Sequence, residues 1–185
     1  MIFIVTKQKK YGTIRIKRFL KMKKKVKISL RSEQVIRLPI SSEEAELLND
    51  MLSAEPLVTE VESEGELEYK KGTVTIRYEE TEATGLENCV TSISFSDRDP
   101  GRVSMYRSGP VRTALMFCGG QRYISVYETE YGGFEVGIYT ERCDNTIGPD
   151  GGELSIVYDV EIRGSEAEHT GLYLKVRVTD EEHGD

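Results

Sequence analysis

The 185-residue chain predicts an all-β fold, an antiparallel up-and-down barrel of about eight to ten strands with one short inserted helix. Three observations carry that reading. From Leu57 onward apolar and polar residues alternate with a period of two, segment after segment. The segments are separated by turn residues: Lys70-Lys71-Gly72, Asp97 to Gly101, Ser108-Gly109-Pro110, Gly119-Gly120 and Gly132-Gly133, the punctuation of consecutive hairpins. Nearly every segment has one apolar face, and an open meander of that length would leave edges that closure removes.

The N-terminal region reads differently. Residues 1–21 form a basic extension with only five apolar residues, Met1 to Val5, before Thr6, too few for the apolar centre of a signal peptide. Three origins fit it: translation beginning at Met22, a solvated basic tail, or an arm for nucleic acid or acidic lipid. A strand follows, with Val26, Ile28 and Leu30 on one face. Ser41 and Glu44 then make a capping box, and Ala45, Leu47, Leu48, Met51 and Leu52 recur at helical spacing up to Pro56. The helical insertion is therefore placed at about 41–55.

Strands occupy the rest. Val61, Ser63 and Gly65 oppose Glu60, Glu62 and Glu64; Val74, Ile76 and Tyr78 share a face, as do Cys89, Thr91, Ile93 and Phe95. The stretch from Val103 to Thr140 holds four more short runs. Among them Val111, Thr113, Leu115 and Phe117 share one face; Tyr123, Ser125, Tyr127 and Thr129 another; Phe134, Val136, Ile138 and Thr140 a third. Glu141 to Gly151 reads as a polar loop and Gly164 to Thr170 as a polar turn. They flank the longest clean alternation, Leu154 to Ile162, and a last strand carries Leu172, Leu174, Val176 and Val178. One barrel domain over 22–180 results, with a frayed tail at 181–185.

Composition bounds the function. A chain of this length buries roughly 70% of its unfolded surface in one core. No run nears the roughly 18 apolar residues of a membrane helix. Cys89, Cys118 and Cys143 show no paired spacing, which suits inert thiols in a reducing cytoplasm better than disulfides or zinc. The net charge of −7 divides unevenly: residues 1–40 hold 13 basic residues and one acid, leaving 12 basic and 31 acidic for the remainder. So acidic a body disfavours nucleic acid as a partner of the barrel.

The order Val103-Ser104-Met105-Tyr106-Arg107-Ser108-Gly109, Phe117, Tyr127, Gly132 and Gly152-Glu153-Leu154-Ser155-Ile156-Val157-Tyr158-Asp159 resembles the YwiB-like family of uncharacterised bacterial cytoplasmic proteins. The resemblance spans Val58 to Val178, with Lys23 to Leu30 matching the first strand. It implies a calycin-like, lipocalin-type β-barrel and no established activity. Lipocalin-type barrels hold small apolar ligands, but this chain has no Trp and so lacks the Gly-x-Trp signature of secreted lipocalins.

No catalytic constellation is expected. The two histidines, His169 in a polar turn and His183 in the tail, have no nucleophile beside them, and Cys143-Asp144 with distant histidines makes no metal site. Glu79-Glu80, Glu128, Glu130 and Asp180-Glu181-Glu182 read as solvated or loop carboxylates, and no cofactor is implied.

An eight-stranded barrel is just wide enough to be filled by side chains or to hold one small ligand. Phe117, Tyr127, Phe134, Ile156, Tyr158 and Leu174 supply inward bulk, while Thr113, Ser125, Tyr127, Thr129 and Thr140 place hydroxyls on the same faces. Arg107, at a strand end, either closes the barrel by bonding carbonyls or a carboxylate, or fixes an anionic ligand group at the mouth. The candidate ligand-binding set is Arg107, Thr113, Ser125, Tyr127, Thr129, Thr140 and Tyr158, in a non-catalytic barrel holding a small molecule. The alternative is a protein-interaction or structural module with a filled core, which the acidic exterior, the helix and the basic arm would suit.

Overall fold

The computed structural model describes residues 21–36, 55–162 and 165–179. The helix expected within 41–55 falls outside them, as do the extension at 1–20 and the tail at 180–185. Ten strands form one closed antiparallel barrel: β1 (Met22–Ile36), β2 (Leu57–Lys70), β3 (Thr73–Glu79), β4 (Val90–Ser96), β5 (Asp99–Ser108), β6 (Arg112–Cys118), β7 (Gln121–Thr129), β8 (Gly132–Asn145), β9 (Gly151–Ile162) and β10 (Ser165–Val178). Each strand pairs with its neighbours in sequence, and β1 closes the ring on β10 through eleven residue pairs from Val26↔Val178 to Ile36↔Glu168. One 3₁₀ turn, Glu82–Thr84, lies between β3 and β4.

The even-numbered residues of β1 and the odd-numbered ones of β2 face inward, so Leu30 lies opposite Val61. Their outward neighbours explain much of the uneven charge. Lys23, Lys25, Lys27 and Arg31 stand directly opposite Glu68, Glu66, Glu64 and Glu60. Cross-strand pairs of opposite charge each contribute roughly 0.2–1 kcal/mol, and they fix the register of two polar outer faces. Four cations of the basic N-terminal region are thus structural.

Two expected loops are strand. β8 continues through Glu141 to Asn145, and only Thr146 to Asp150 connects it to β9. The cause is a bulge between Thr140 and Arg142, which leaves Glu141 without a ladder partner. An extra residue inverts the alternation, so inward Thr140 is followed by Cys143, packed against the core, and the period-two signal breaks. β10 begins at Ser165, not after Thr170, and a second bulge between Glu166 and Glu168 hides its first turn in the same way. His169 therefore sits in a strand. The hairpin turns are also tighter than expected: Asp97-Arg98 joins β4 to β5 and Glu130-Tyr131 joins β7 to β8.

The core fills the end of the barrel where β1 begins. Val26, Leu67, Val74, Phe95, Val103, Phe117, Leu154 and Val176 are all nearly or wholly buried, and Ile147 from the β8–β9 connection tucks in among them. Burial of the Cys143 thiol, then the Asp144 charge and Cys118, pushes it up to about 11. Its thiolate is scarce at pH 8, so iodoacetamide should label Cys143 on the order of 10- to 100-fold more slowly in the native protein than in urea, by peptide mass mapping.

The wall is uneven at one place. β6 and β7 pair only through Arg112↔Glu128 and Thr113↔Tyr127. Beyond these, the Ser125 hydroxyl donates to the Ala114 carbonyl at 2.6 Å. The Thr140 hydroxyl of β8 accepts from the Cys118 amide at 3.4 Å, and its carbonyl accepts from the Gly120 amide. Side chains of β7 and β8 thus complete a seam that the ladder leaves open.

Candidate functional site

The opposite end of the barrel is polar and open. A cavity of about 370 Å³ lies there, lined by Tyr78, Glu80, Arg107, Tyr127, Phe134, Tyr158 and Glu168 together with apolar residues below them. These side chains come from β3, the β3–β4 connection, β5, β7, β8, β9 and β10, so seven chain segments converge on one mouth.

The residue that organises this mouth is Glu80, whose side chain is only 2% exposed. It continues the inward row Val74, Ile76, Tyr78 one step past β3, and its amide still bonds the Cys89 carbonyl. The sequence placed it among solvated carboxylates, and that expectation fails because the row's parity carries over into the connection. Glu80 accepts a 2.5 Å bond from the buried Thr91 hydroxyl. Its Oε1 lies 3.6 Å from Nε of Arg107, which faces inward from β5. Charge pairing therefore exists, but the geometry is too long for a hydrogen bond, and Arg107 Nε has no acceptor.

Around this pair the phenols are desolvated. Burial, then the Glu80 charge, raises Tyr78 far above the ordinary phenol range. Burial also raises Tyr158, with Arg107 opposing. Tyr158 packs on Phe117 with ring centroids 4.9 Å apart, and Tyr127 packs on Phe134 at 5.5 Å. Across the mouth, Glu168 accepts from the Thr170 hydroxyl at 2.5 Å and from Gln34 at 3.1 Å.

The seven sequence-derived candidates divide. Arg107, Tyr127 and Tyr158 meet on the cavity. Thr113 is buried beside them, opposite Arg107 and Tyr127 in register, with its hydroxyl unbonded. Ser125 and Thr140 instead serve the β6–β7 seam, and Thr129 is spent on the β7–β8 turn, donating to the Gly132 carbonyl and accepting from the Tyr131 amide. Period-two parity could place hydroxyls on a face but not at a height along the barrel. Phe134, expected as core bulk, is 45% exposed at the rim. Glu80, Glu168 and Gln34 went unrecognised, although parity within their own strands would have found the first.

A wider groove of about 640 Å³ runs outside β1, β2, β9 and β10. Arg31 bonds Glu60 and Lys175 bonds Glu153 there, and the one buried polar side-chain atom of its lining left without a partner is the Ser155 hydroxyl. The chemistry therefore concentrates at the mouth.

A family model described as a domain of unknown function, DUF1934, matches residues 51–174. The chain belongs to the DUF1934 family. Among solved structures it is similar to the ywiB protein from Bacillus subtilis, with a TM-score of 0.66 at 18% identity, covering 85% of this chain and 94% of that one. At that identity the likeness concerns the fold, and it agrees with the YwiB-like barrel that the residues suggested. No curated protein matches the chain. Among the described residues, no helix is long and apolar enough to cross a membrane.

Gly109 closes the Met-Tyr-Arg-Ser-Gly run of this family member. Its φ is +141°, and a Cβ there would stand 2.6 Å from the Asn88 carbonyl oxygen and 2.9 Å from Cys89 Cα. Gly109→Ala should cost about 2 kcal/mol of stability in urea titration, through strain and displacement of the segment beside Arg107.

Proposed function

We propose that this protein is a non-catalytic, cytoplasmic binder of a small molecule, held in the mouth of the barrel. One observation carries the reading: a cavity of ligand size is lined by the Nε–H of Arg107, a buried donor without an acceptor. Pockets of about 300–1,000 Å³ with aromatic walls and a few converging polar groups are the usual form of small-molecule sites. A buried donor left unpaired costs about 1–3 kcal/mol, more when charged, so an acceptor supplied by a ligand would be strongly favoured.

The ligand chemistry follows from the wall. Tyr127, Phe134 and Tyr158 suit a flat or aliphatic body of modest size. Glu80 already balances the charge of Arg107, so the ligand need bring only an acceptor oxygen, as a carbonyl or a carboxylate. Native mass spectrometry of the full chain, gentle against denaturing, should show an extra mass that leaves on unfolding. Titration with 8-anilinonaphthalene-1-sulfonate should saturate at one site, and Arg107→Gln should weaken it at least about tenfold while the fold persists. Neither an adduct nor saturable probe binding would overturn the reading in favour of a filled, structural barrel.

A further inference from the structure

We infer that the outer wall carries a second, separate site, for a divalent transition ion, formed by Glu141, Asp159 and His169. These three come from adjacent strands. Tyr139 pairs with Asp159 and Asp159 pairs with His169, so β9 and β10 bring the last two side by side on the outer face. Glu141 reaches them because it is the bulged residue of β8. In a regular ladder its side chain would follow inward Thr140 and outward Tyr139 in strict order, two residues along the strand from Tyr139. The bulge frees it from a register partner, and one donor atom from each of the three residues lies within 4.8 Å of the others.

The donor set is chemically coherent. An imidazole nitrogen with two carboxylates suits Zn²⁺, Co²⁺ or Mn²⁺, whereas Ca²⁺ and Mg²⁺ favour all-oxygen surroundings. Nδ1 of His169 and Oδ1 of Asp159 lie 2.7 Å apart, within hydrogen-bonding distance. An ion bound at about 2.0–2.2 Å by each would need only part them to about 3.3 Å, the separation of tetrahedral neighbours. Asp159 and His169 are partly sheltered, with side chains 15% and 31% exposed, so their rotamers are restrained before any ion arrives. The adjacent cation does not compete, since Arg142 is turned to Asp144 at 3.2 Å. With neutral histidine the cluster carries two negative charges, which an ion would neutralise. Three protein donors leave a fourth position for water or an external ligand, the arrangement of open rather than closed zinc sites.

The position gives the site a consequence. Inward-facing Thr140, Tyr158 and Thr170 are the immediate chain neighbours of Glu141, Asp159 and His169, so an ion would clamp β8, β9 and β10 directly behind the wall of the mouth.

The test is calorimetric titration of Zn²⁺ into the chelator-stripped full chain, with Co²⁺ absorption as a second readout of coordination. One saturable equivalent is expected, accompanied by a rise in Tm. Glu141→Gln and His169→Ala should each weaken binding at least about tenfold, because even outer-shell changes cost that much. Glu141 is exposed, so its substitution leaves the fold intact and keeps the result interpretable should His169→Ala unfold. His183→Ala and Cys143→Ser should change nothing. Absence of a saturable equivalent, equal competition by Ca²⁺, or binding indifferent to Glu141→Gln would each overturn the site.

Discussion

Phe117→Ala should lower stability by about 3–5 kcal/mol, which for a chain of this size is a fall in Tm of about 10 °C. Phe117 is wholly buried, pairs across β5 with Val103, and meets the Tyr158 ring at 4.9 Å and 56°. Truncation removes an aromatic volume that neighbours on a hydrogen-bonded ring of strands cannot collapse to fill. It also removes a tilted aromatic pair worth about 1 kcal/mol beyond its burial. The control is Phe134→Ala, another aromatic truncation at a residue 45% exposed, expected to cost under about 1 kcal/mol. Denaturant melts of the two variants check the ranking. Comparable losses would mean that the barrel's interior is organised around the rim and not around the closed end.

The difference between those two phenylalanines shows where reading from sequence stops. Alternation identifies which residues share a face, and the apolar inward rows of β1, β3, β4 and β9 were legible from it. Height along the barrel axis was not, because it depends on strand offset around the ring, which no local pattern records. Thr113 and Thr129 look alike in sequence, yet one is buried beside Arg107 and the other holds a hairpin turn. Phase was lost wherever a bulge intervened. At Glu141 one added residue turned strand into apparent loop, and at Ala167 another placed His169 in an apparent turn. Both bulges flank the proposed ion site, so the feature that concealed the cluster from the sequence is the one that assembles it. Charge misled for a different reason. Lys23 to Lys27 were read as a solvated start to the first strand, and their pairing went unseen because their acidic partners on β2 lie some forty residues later, across a connection whose length alternation cannot bridge.

Glu80 is the sharper case, since its inward parity was available and only its charge argued against burial. Glu80→Ala should cost about 3 kcal/mol, because it leaves Arg107 partly buried with no carboxylate and strips the Thr91 hydroxyl of its acceptor. The lower end of the range applies, since the Arg107 side chain keeps 18% of its exposure and water can reach it. A double replacement discriminates between stability and function. Glu80→Leu with Arg107→Met removes both charges together and fills the space with apolar groups of similar length, which for buried pairs is commonly neutral or stabilising. The double variant should therefore melt within about 1 kcal/mol of the parent, yet fail to bind 8-anilinonaphthalene-1-sulfonate at the mouth. That outcome would mean the pair is kept for recognition at a cost to the fold that apolar packing avoids. A double variant as unstable as Glu80→Ala would instead make the pair a strut of the barrel end, and a double variant that still binds the probe would detach Arg107 from recognition altogether.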